Sequence, residues 1–315
     1  MFQIMKADKT IDFMRWSKIA SVFSVLMIAT AIFTLSTKWL NWGLDFTGGT
    51  LIEVGFEQPA DLEQIRTSLE AKGFGDATVQ NFGSAREVMV RLRPRDDAQG
   101  EKLGNQILTA LEQGTGESVE MRRIEFVGPN VGDELAEAGG LAIIASLICI
   151  LLYVSMRFEW RLAAGAVLAL THDVIITLGV FSIMQIEVDL TIIAALLTVV
   201  GYSLNDTIVV FDRIRENFRK MRKGDSAEVM NSSITQTLSR TLITSATTLF
   251  VVIALFTQGG ANIHGFATAL LLGITVGTYS SIYVASALAL KLGIQREHLM
   301  PPQIEKEGAE FDEMP

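Results

Sequence analysis

The sequence predicts a polytopic α-helical membrane protein with six transmembrane helices and, between the first two, a small α+β domain of βαββαβ-like order. Three observations predict it. The 315-residue chain is 49% hydrophobic with a mean hydropathy of +0.36, more apolar than soluble domains of that length require. Six apolar segments, at 17–37, 138–156, 162–183, 190–211, 237–257 and 265–290, each approach the roughly 20 helical residues that cross about 30 Å of hydrocarbon. The polar stretch 38–137 instead alternates and turns as a soluble fold does.

Residues 1–16 form a short polar N-terminus. The first apolar run is too long for a signal-peptide core and no small-residue cleavage site follows it, so it reads as an anchor. Orientation follows from positive charge in the short loops. Lys6, Lys9, Arg15 and Lys18 precede or open the first span; Arg157 and Arg161 lie between the second and third. Arg213, Arg215, Arg219, Lys220, Arg222 and Lys223 fall in a basic loop, 212–236, and Lys291 and Arg296 open the tail, 291–315. The opposite loops, MQIEVD and TQGGANIH, hold no Lys or Arg. All basic clusters therefore share one side, with both termini cytoplasmic and 38–137 outside, where its net charge is about −8. The basic loop reads as a topology determinant; no aromatic residues interleave it as single-stranded nucleic-acid binding would favour, so no nucleic-acid partner is expected. The lone Cys149 excludes an intrachain disulfide and reads as a buried small apolar side chain.

Within 38–137, LIEVGF, AREVMVRLR and ESVEMRRIEFV alternate as strands, ATVQNF is a short strand, and DLEQIRTSLEAKG and AQGEKLGNQILTALEQ carry helical spacing. That order is the split βαββαβ motif. Gly73 and Gly114 read as left-handed helix caps. GLDFTGGT, from Gly43 through Asp45 to Gly48 and Gly49, joins the first span to the first strand and reads as a bend. It is no phosphate loop, because a strand follows and no Lys-Ser or Lys-Thr does. VGPNVGDELAEAG, with Pro129, returns the chain to the membrane as a connector or hinge.

Ionisable residues inside spans are functional candidates by default. Asp173, beside His172, lies twelve residues from Arg161, roughly 18 Å deep at 1.5 Å per residue. Asp206 lies six residues from Asp212, roughly 9 Å deep, too far for a short side chain to snorkel. Tyr202 and Ser203 precede it by four and three residues and are expected to offer it hydroxyls, Asn205 an amide. Asp212 lies about 240° around the helix and is no dyad partner. Arg240 opens the fifth span at a depth like that of Asp206 and is expected to pair with it; the alternative is a boundary arginine. For Asp173 and Asp206 the alternative is polar glue between helices.

No HExxH, nucleophile elbow or Walker A lysine is present, and His172, His264 and His298 are too scattered for a metal site. No enzyme, cofactor or metal is expected. The enzyme alternative, an intramembrane aspartyl protease, lacks the Gly-Leu-Gly-Asp context: Asp206 sits in LND. Work must then come from an ion gradient, where one charge crossing 100 mV is worth about 2.3 kcal/mol.

GLDFTGGTLIEV, VGPNVGDEL and GYSLNDTIVVFDRIREN together resemble the sequence blocks of the SecF family, membrane subunits of the SecDF auxiliary complex of bacterial protein export. The resemblance covers nearly the whole chain. It implies an RND-superfamily relative in the bacterial inner membrane, with a periplasmic domain and six spans packed against six similar spans of SecD. It implies work with the SecYEG channel, with YajC and YidC as further partners beside preprotein and lipids, using the ion-motive force, H+ or Na+, to complete translocation. Asp206 and Arg240 match positions that belong to the family's transport path; Asp173 is added from depth alone. The competing role is a scaffold that stabilises SecD.

Overall fold

The computed structural model describes residues 10–94, 100–221 and 224–299; Lys6, Lys9, Arg222, Lys223 and most of the two termini lie outside them. Among the described residues six helices are long and apolar enough to cross a membrane: α1 (Phe13–Thr37), α5 (Pro129–Arg157), α6 (Trp160–Met184), α7 (Leu190–Lys220), α8 (Ser226–Gln258) and the helix over Ala261–Lys291. That last helix is α9 (Ala261–Ser280), a π turn over Ser281–Ala285, and α10 (Ser286–Lys291). Half of the most apolar stretch of α6, α7 and the last helix is buried within the chain, against 6% for α5. These three are therefore the centre of the bundle, and α5 presents its apolar surface outward.

Two boundaries differ from expectation. The basic loop 212–236 is almost entirely helix, because α7 runs on to Lys220 and α8 begins at Ser226 with Asp225 accepting from the Glu228 N–H. Charged residues end a hydrophobic stretch without ending a helix; Arg157 on Asp212 at 2.7 Å and Asn217 on Ser233 at 2.9 Å hold the extensions together. VGPNVGDELAEAG is no connector either. After Val127, which ends β5, and the cap residue Gly128, it is the first turns of α5, with Pro129 at the first helical position, where its missing N–H is not needed. Cys149 is exposed on the outward surface of α5, since an apolar environment for a spanning residue can lie outside the chain.

Between α1 and α5 stand β1 (Asn41–Trp42), the one-turn α2 (Leu44–Thr47), β2 (Gly49–Phe56), α3 (Leu62–Ala71), β3 (Thr78–Phe82), β4 (Ser84–Leu92), α4 (Gly100–Thr115) and β5 (Val119–Val127). Strands β2 to β5 form an antiparallel sheet in the order β3-β4-β2-β5. Period-2 alternation sends Ile52, Val54 and Val90 to a core with Ile65, Leu69 and Ile107 of the helices. Leu51 and Met89 point to the other face, where they meet Leu44. A bulge between Glu53 and Val54 leaves β5 with one residue more than β2.

Gly73 ends α3 with φ +87°, as expected, but Gly114 lies inside α4 and the left-handed residue is Gly116, φ +72°. Gly114 serves packing instead: a Cβ there would lie 1.9 Å from Ser68 Oγ and 2.3 Å from Ser68 Cβ on α3. Gly114→Val is expected to destabilise this helix pair by about 1–3 kcal/mol. Hydrogen exchange of α3 and α4 amides in the full chain should accelerate about tenfold or more; unchanged exchange would show that the helices simply part.

Candidate functional site

Small residues let the central helices approach until polar side chains on different helices touch. A Cβ at Gly273 of α9 would meet Val199 of α7 at 2.2 Å, and one at Gly277 would meet Ser203 at 2.9 Å. Gly179 of α6 lies as closely on Ala31 of α1.

Asp173 is the most fully engaged carboxylate in this seam. It is 1% exposed. Ser203 Oγ of α7 donates to its Oδ2 at 2.6 Å and Ser280 Oγ of α9 to the same atom at 2.7 Å. His172 Nδ1 lies 2.9 Å from Oδ1, while His172 Nε2, buried, has no partner. The Tyr279 ring stacks beside the imidazole, held by its hydroxyl, which donates to Ala20 O at 2.8 Å.

Asp206 lies about 60° around α7 from Ser203 and meets α8. It too is buried, and it interacts with the Ser245 hydroxyl. Ser245 sits 2.8 Å from Thr278 Oγ1 of α9 and accepts from Tyr202 at 3.3 Å. Arg240 is exposed and acts on Asp206 through space, without an ion pair, and Asp206 Oδ2 is left without a hydrogen-bond partner. Thr207 and Thr241 add two more unpartnered buried hydroxyls on the same pair of helices.

Several expected partnerships are thus rearranged. Arg240 does not pair with Asp206, because equal depth fixes position along an axis but not rotation about it. Tyr202 meets Ser245 instead of the carboxylate, and Ser203 belongs to Asp173. Asn205 is exposed, about 100° around the helix from Asp206. Asp173 and Asp206 have separate partners and make no dyad of the protease kind. Asp212 is engaged with Arg157 and Arg215, away from Asp206. Ser245, Thr278, Tyr279 and Ser280 were missed; their signal was a run of hydroxyls in the apolar fifth and sixth spans.

At the domain end, the GLDFTGGT segment is docked, not loose. Gly43 N–H donates to Val188 O at 2.7 Å, and β1 pairs in parallel with β6 (Glu187–Val188), the residues leading into α7. Asp45 Oδ2 accepts from Leu190 N at 2.9 Å, capping α7 alongside Asp189, which accepts from Ile192 N. Gly48, φ +64°, and Gly49, φ +121°, do make a bend, but Gly48 rests on Pro129 and Gly132 and Gly49 on Leu92 O. Arg91 of β4 ties the segment to the sheet: it donates to Trp42 O at 2.9 Å and to Thr47 Oγ1, and lies 3.4 Å from Glu187 Oε1. Glu187 also accepts from Leu44 N at 3.3 Å. Burial pushes the Glu187 carboxyl above its ordinary value, against the opposing pull of Arg91 and that N–H. Above β6 lies a cleft of ≈ 470 Å³ between sheet and bundle, lined by Glu53, Arg123, Glu125, Glu187 and His264 among others. Burial raises the Glu53 carboxyl there as well, with Arg123 opposing. Among the described residues no group of three or more His, Cys, Asp or Glu is placed to hold a metal ion.

Comparison with known proteins agrees with this architecture. Residues 107–295 match the family model of the protein export membrane protein SecD/SecF, C-terminal, and residues 33–60 match the SecD/SecF GG motif, which contains Gly48 and Gly49. The chain is 87% identical to a protein translocase subunit SecF of Vibrio alginolyticus over the full length of both, and 53% identical to that of Escherichia coli O157:H7 over 98% of this chain and 96% of the relative. The crystal structure of SecDF, a translocon-associated membrane protein from Thermus thermophilus, superposes with a TM-score of 0.84 at 39% identity, covering 92% of this chain and 40% of that one. With its six spans, its docked glycine pair and these matches, the chain belongs to the SecF family of protein translocase subunits.

Proposed function

We propose that this chain pairs with a SecD subunit in the bacterial inner membrane, its domain periplasmic and both termini cytoplasmic, and uses the ion-motive force to complete preprotein translocation through the SecYEG channel. The observation that carries this reading is Asp206, a buried carboxylate with an unpartnered oxygen on a central helix, within electrostatic reach of Arg240 but not bound to it. Such a group can accept and release a cation without first breaking an ion pair. The outward apolar surfaces of α5 and α8 suit lipid and the spans of SecD.

Helix α7 supplies the transmission. It is continuous from Leu190, capped by Asp45, past Asp206, so a rod of roughly 24 Å joins the carboxylate to the domain attachment. A change of charge at Asp206 alters its pull on Ser245 and Arg240 of α8, and α7 carries any resulting shift to the β1–β6 bridge. One charge crossing 100 mV is worth about 2.3 kcal/mol, enough to bias such an equilibrium more than tenfold.

The test is preprotein translocation into inverted vesicles with wild type, Asp206→Asn and Arg240→Ala, with complex assembly quantified and the proton and sodium gradients collapsed separately. Asp206→Asn is expected to lose gradient-stimulated completion with assembly intact, and the effective collapse identifies the ion. Retained completion, or loss that tracks missing complex, would favour a scaffold role.

A further inference from the structure

The geometry points to a second proton-holding site, separate from Asp206: the buried His172–Asp173 pair, which takes one proton on His172 Nε2. The inference takes the chain to lie in a membrane but needs no ion coupling at Asp206.

Hydrogen bonding limits the states available. Asp173 Oδ2 has the hydroxyls of Ser203 and Ser280 at 2.6 and 2.7 Å, the latter also 3.1 Å from Gly277 O, so that oxygen is the more fully engaged of the two. Oδ1 faces His172 Nδ1 at 2.9 Å; an Oδ1–H donating to Nδ1 would satisfy both atoms but would put an N–H on the partnerless Nε2, and the pairing inferred is the one that leaves Nε2 a bare acceptor, an ionised carboxylate accepting from Nδ1–H. With the imidazole neutral, the pair then carries one net negative charge. Asp173 is 1% and His172 3% exposed. Among the described residues the only ion-pair contact of Asp173 is His172 itself. A charge so buried, with no opposite charge beside it, is unfavourable.

The groups around the pair do not supply the missing positive charge. From α6 itself comes Thr177, whose hydroxyl donates to the Asp173 backbone carbonyl. Helix α7 contributes Ser203 and, about 60° further around it, the acid Asp206, which is engaged with Ser245. The sixth span contributes Ser280 and the titratable Tyr279 and Tyr283, and α1 contributes Ser24 and the Ala20 carbonyl, both on the Tyr279 hydroxyl. Apart from the acid Asp206 these are neutral donors or acceptors, and none of the groups named here carries a positive charge. What remains is the lone pair on Nε2, buried and without a partner. A proton added there gives an imidazolium–carboxylate pair of zero net charge, breaks no bond and leaves Nδ1–H on Oδ1. The Tyr279 ring, centroids 6.3 Å apart and 29° from parallel, offers the cation an aromatic face. An alkali cation would need free oxygen lone pairs; the free acceptor is nitrogen, so the ligand is the proton.

The test is 15N NMR of the full chain, histidine-labelled and co-produced with its SecD partner, in lipid nanodiscs, with His172 assigned by subtracting the spectrum of His172→Gln. Wild type is expected to show the imidazolium at the acid end of about pH 5 to 8 and the Nδ1–H neutral tautomer at the alkaline end. Asp173→Asn is expected to lower the imidazolium fraction about tenfold or more, one pH unit's worth. Exchange of Na+ for K+ should change neither. A His172 that stays neutral throughout, an imidazolium indifferent to Asp173→Asn, or a signal that follows Na+ would overturn the assignment. Should Asp173→Asn fail to assemble, Ser280→Ala keeps the acid and removes one hydroxyl; it must displace the pH at which His172 changes form, and an unmoved transition would overturn the pairing. The spectra are taken without gradient or preprotein, so their outcome is independent of the vesicle result.

Discussion

Gly273→Ala is expected to lower the heat stability of the complex markedly. The new Cβ would stand 2.2, 2.4 and 2.9 Å from the three side-chain carbons of Val199. Valine is branched at Cβ and confined to few rotamers on a helix, so it cannot swing aside. The helices must part instead, and α7 and α9 are the elements that bring Ser203 and Ser280 to Asp173. Overpacking of this kind destabilises by about 1–3 kcal/mol and at times more. Val199→Ala should restore part of the loss, giving a non-additive cycle of about 1 kcal/mol or more. Gly201, on α7 beside Val199, is the control: a Cβ there meets nothing within 4 Å, so Gly201→Ala should be neutral or stabilising by about 0.5–1 kcal/mol. Loss of monodisperse complex on heating measures all four variants; equal behaviour of Gly201→Ala and Gly273→Ala would refute close packing in the seam.

The second large effect is expected at Arg91. Arg91→Ala removes hydrogen bonds to Trp42 O and Thr47 and the ion pair to Glu187 together, a loss of about 2 kcal/mol or more from the docking of the domain. Glu187→Gln should behave in the opposite sense. Its carboxyl is raised by burial despite Arg91, so the docked form binds the proton more tightly than the undocked one. Docking is then favoured fully below the ordinary carboxylate value, and that advantage is lost as pH rises through the docked value. Glu187→Gln should remove this pH dependence at little expense and, in the double variant, recover part of what Arg91→Ala loses by removing the stranded charge. Hydrogen exchange at residues 187–194, followed from pH 4 to pH 8, reads both effects; docking that tightens with rising pH would contradict the assignment.

The membrane helices were legible because a bilayer imposes a length and an apolar composition that leave few alternatives. The domain was legible because alternation and helical spacing switch cleanly between strands and helices. What escaped was rotation and continuity. Asp206 and Arg240 share a depth, yet Arg240 turns outward and Ser245 takes the nearer place. Ser203 lies only about 60° from Asp206 around α7, but α6 and α9 pack on that side and Asp173 receives it. Gly114 was read as a cap from its place at the end of a pattern, whereas the helix runs one residue further to meet Ser68 at close range. The docking of Asp45 on Leu190 joins residues 145 positions apart, and no local pattern announces such a contact.

The two-residue bridge between β1 and β6 has a mechanical meaning. A domain inserted in a loop is tied to its membrane bundle at two places, where the chain leaves α1 and where it enters α5, and a body held at two points can still swing about the line joining them. Pairing Asn41 and Trp42 with Glu187 and Val188 adds a further support at the head of α7. Swinging then strains that support. The domain can tilt only by undoing the bridge or by drawing α7 along with it, so the motions of the sheet domain and of the helix bearing Asp206 are coupled while the bridge holds.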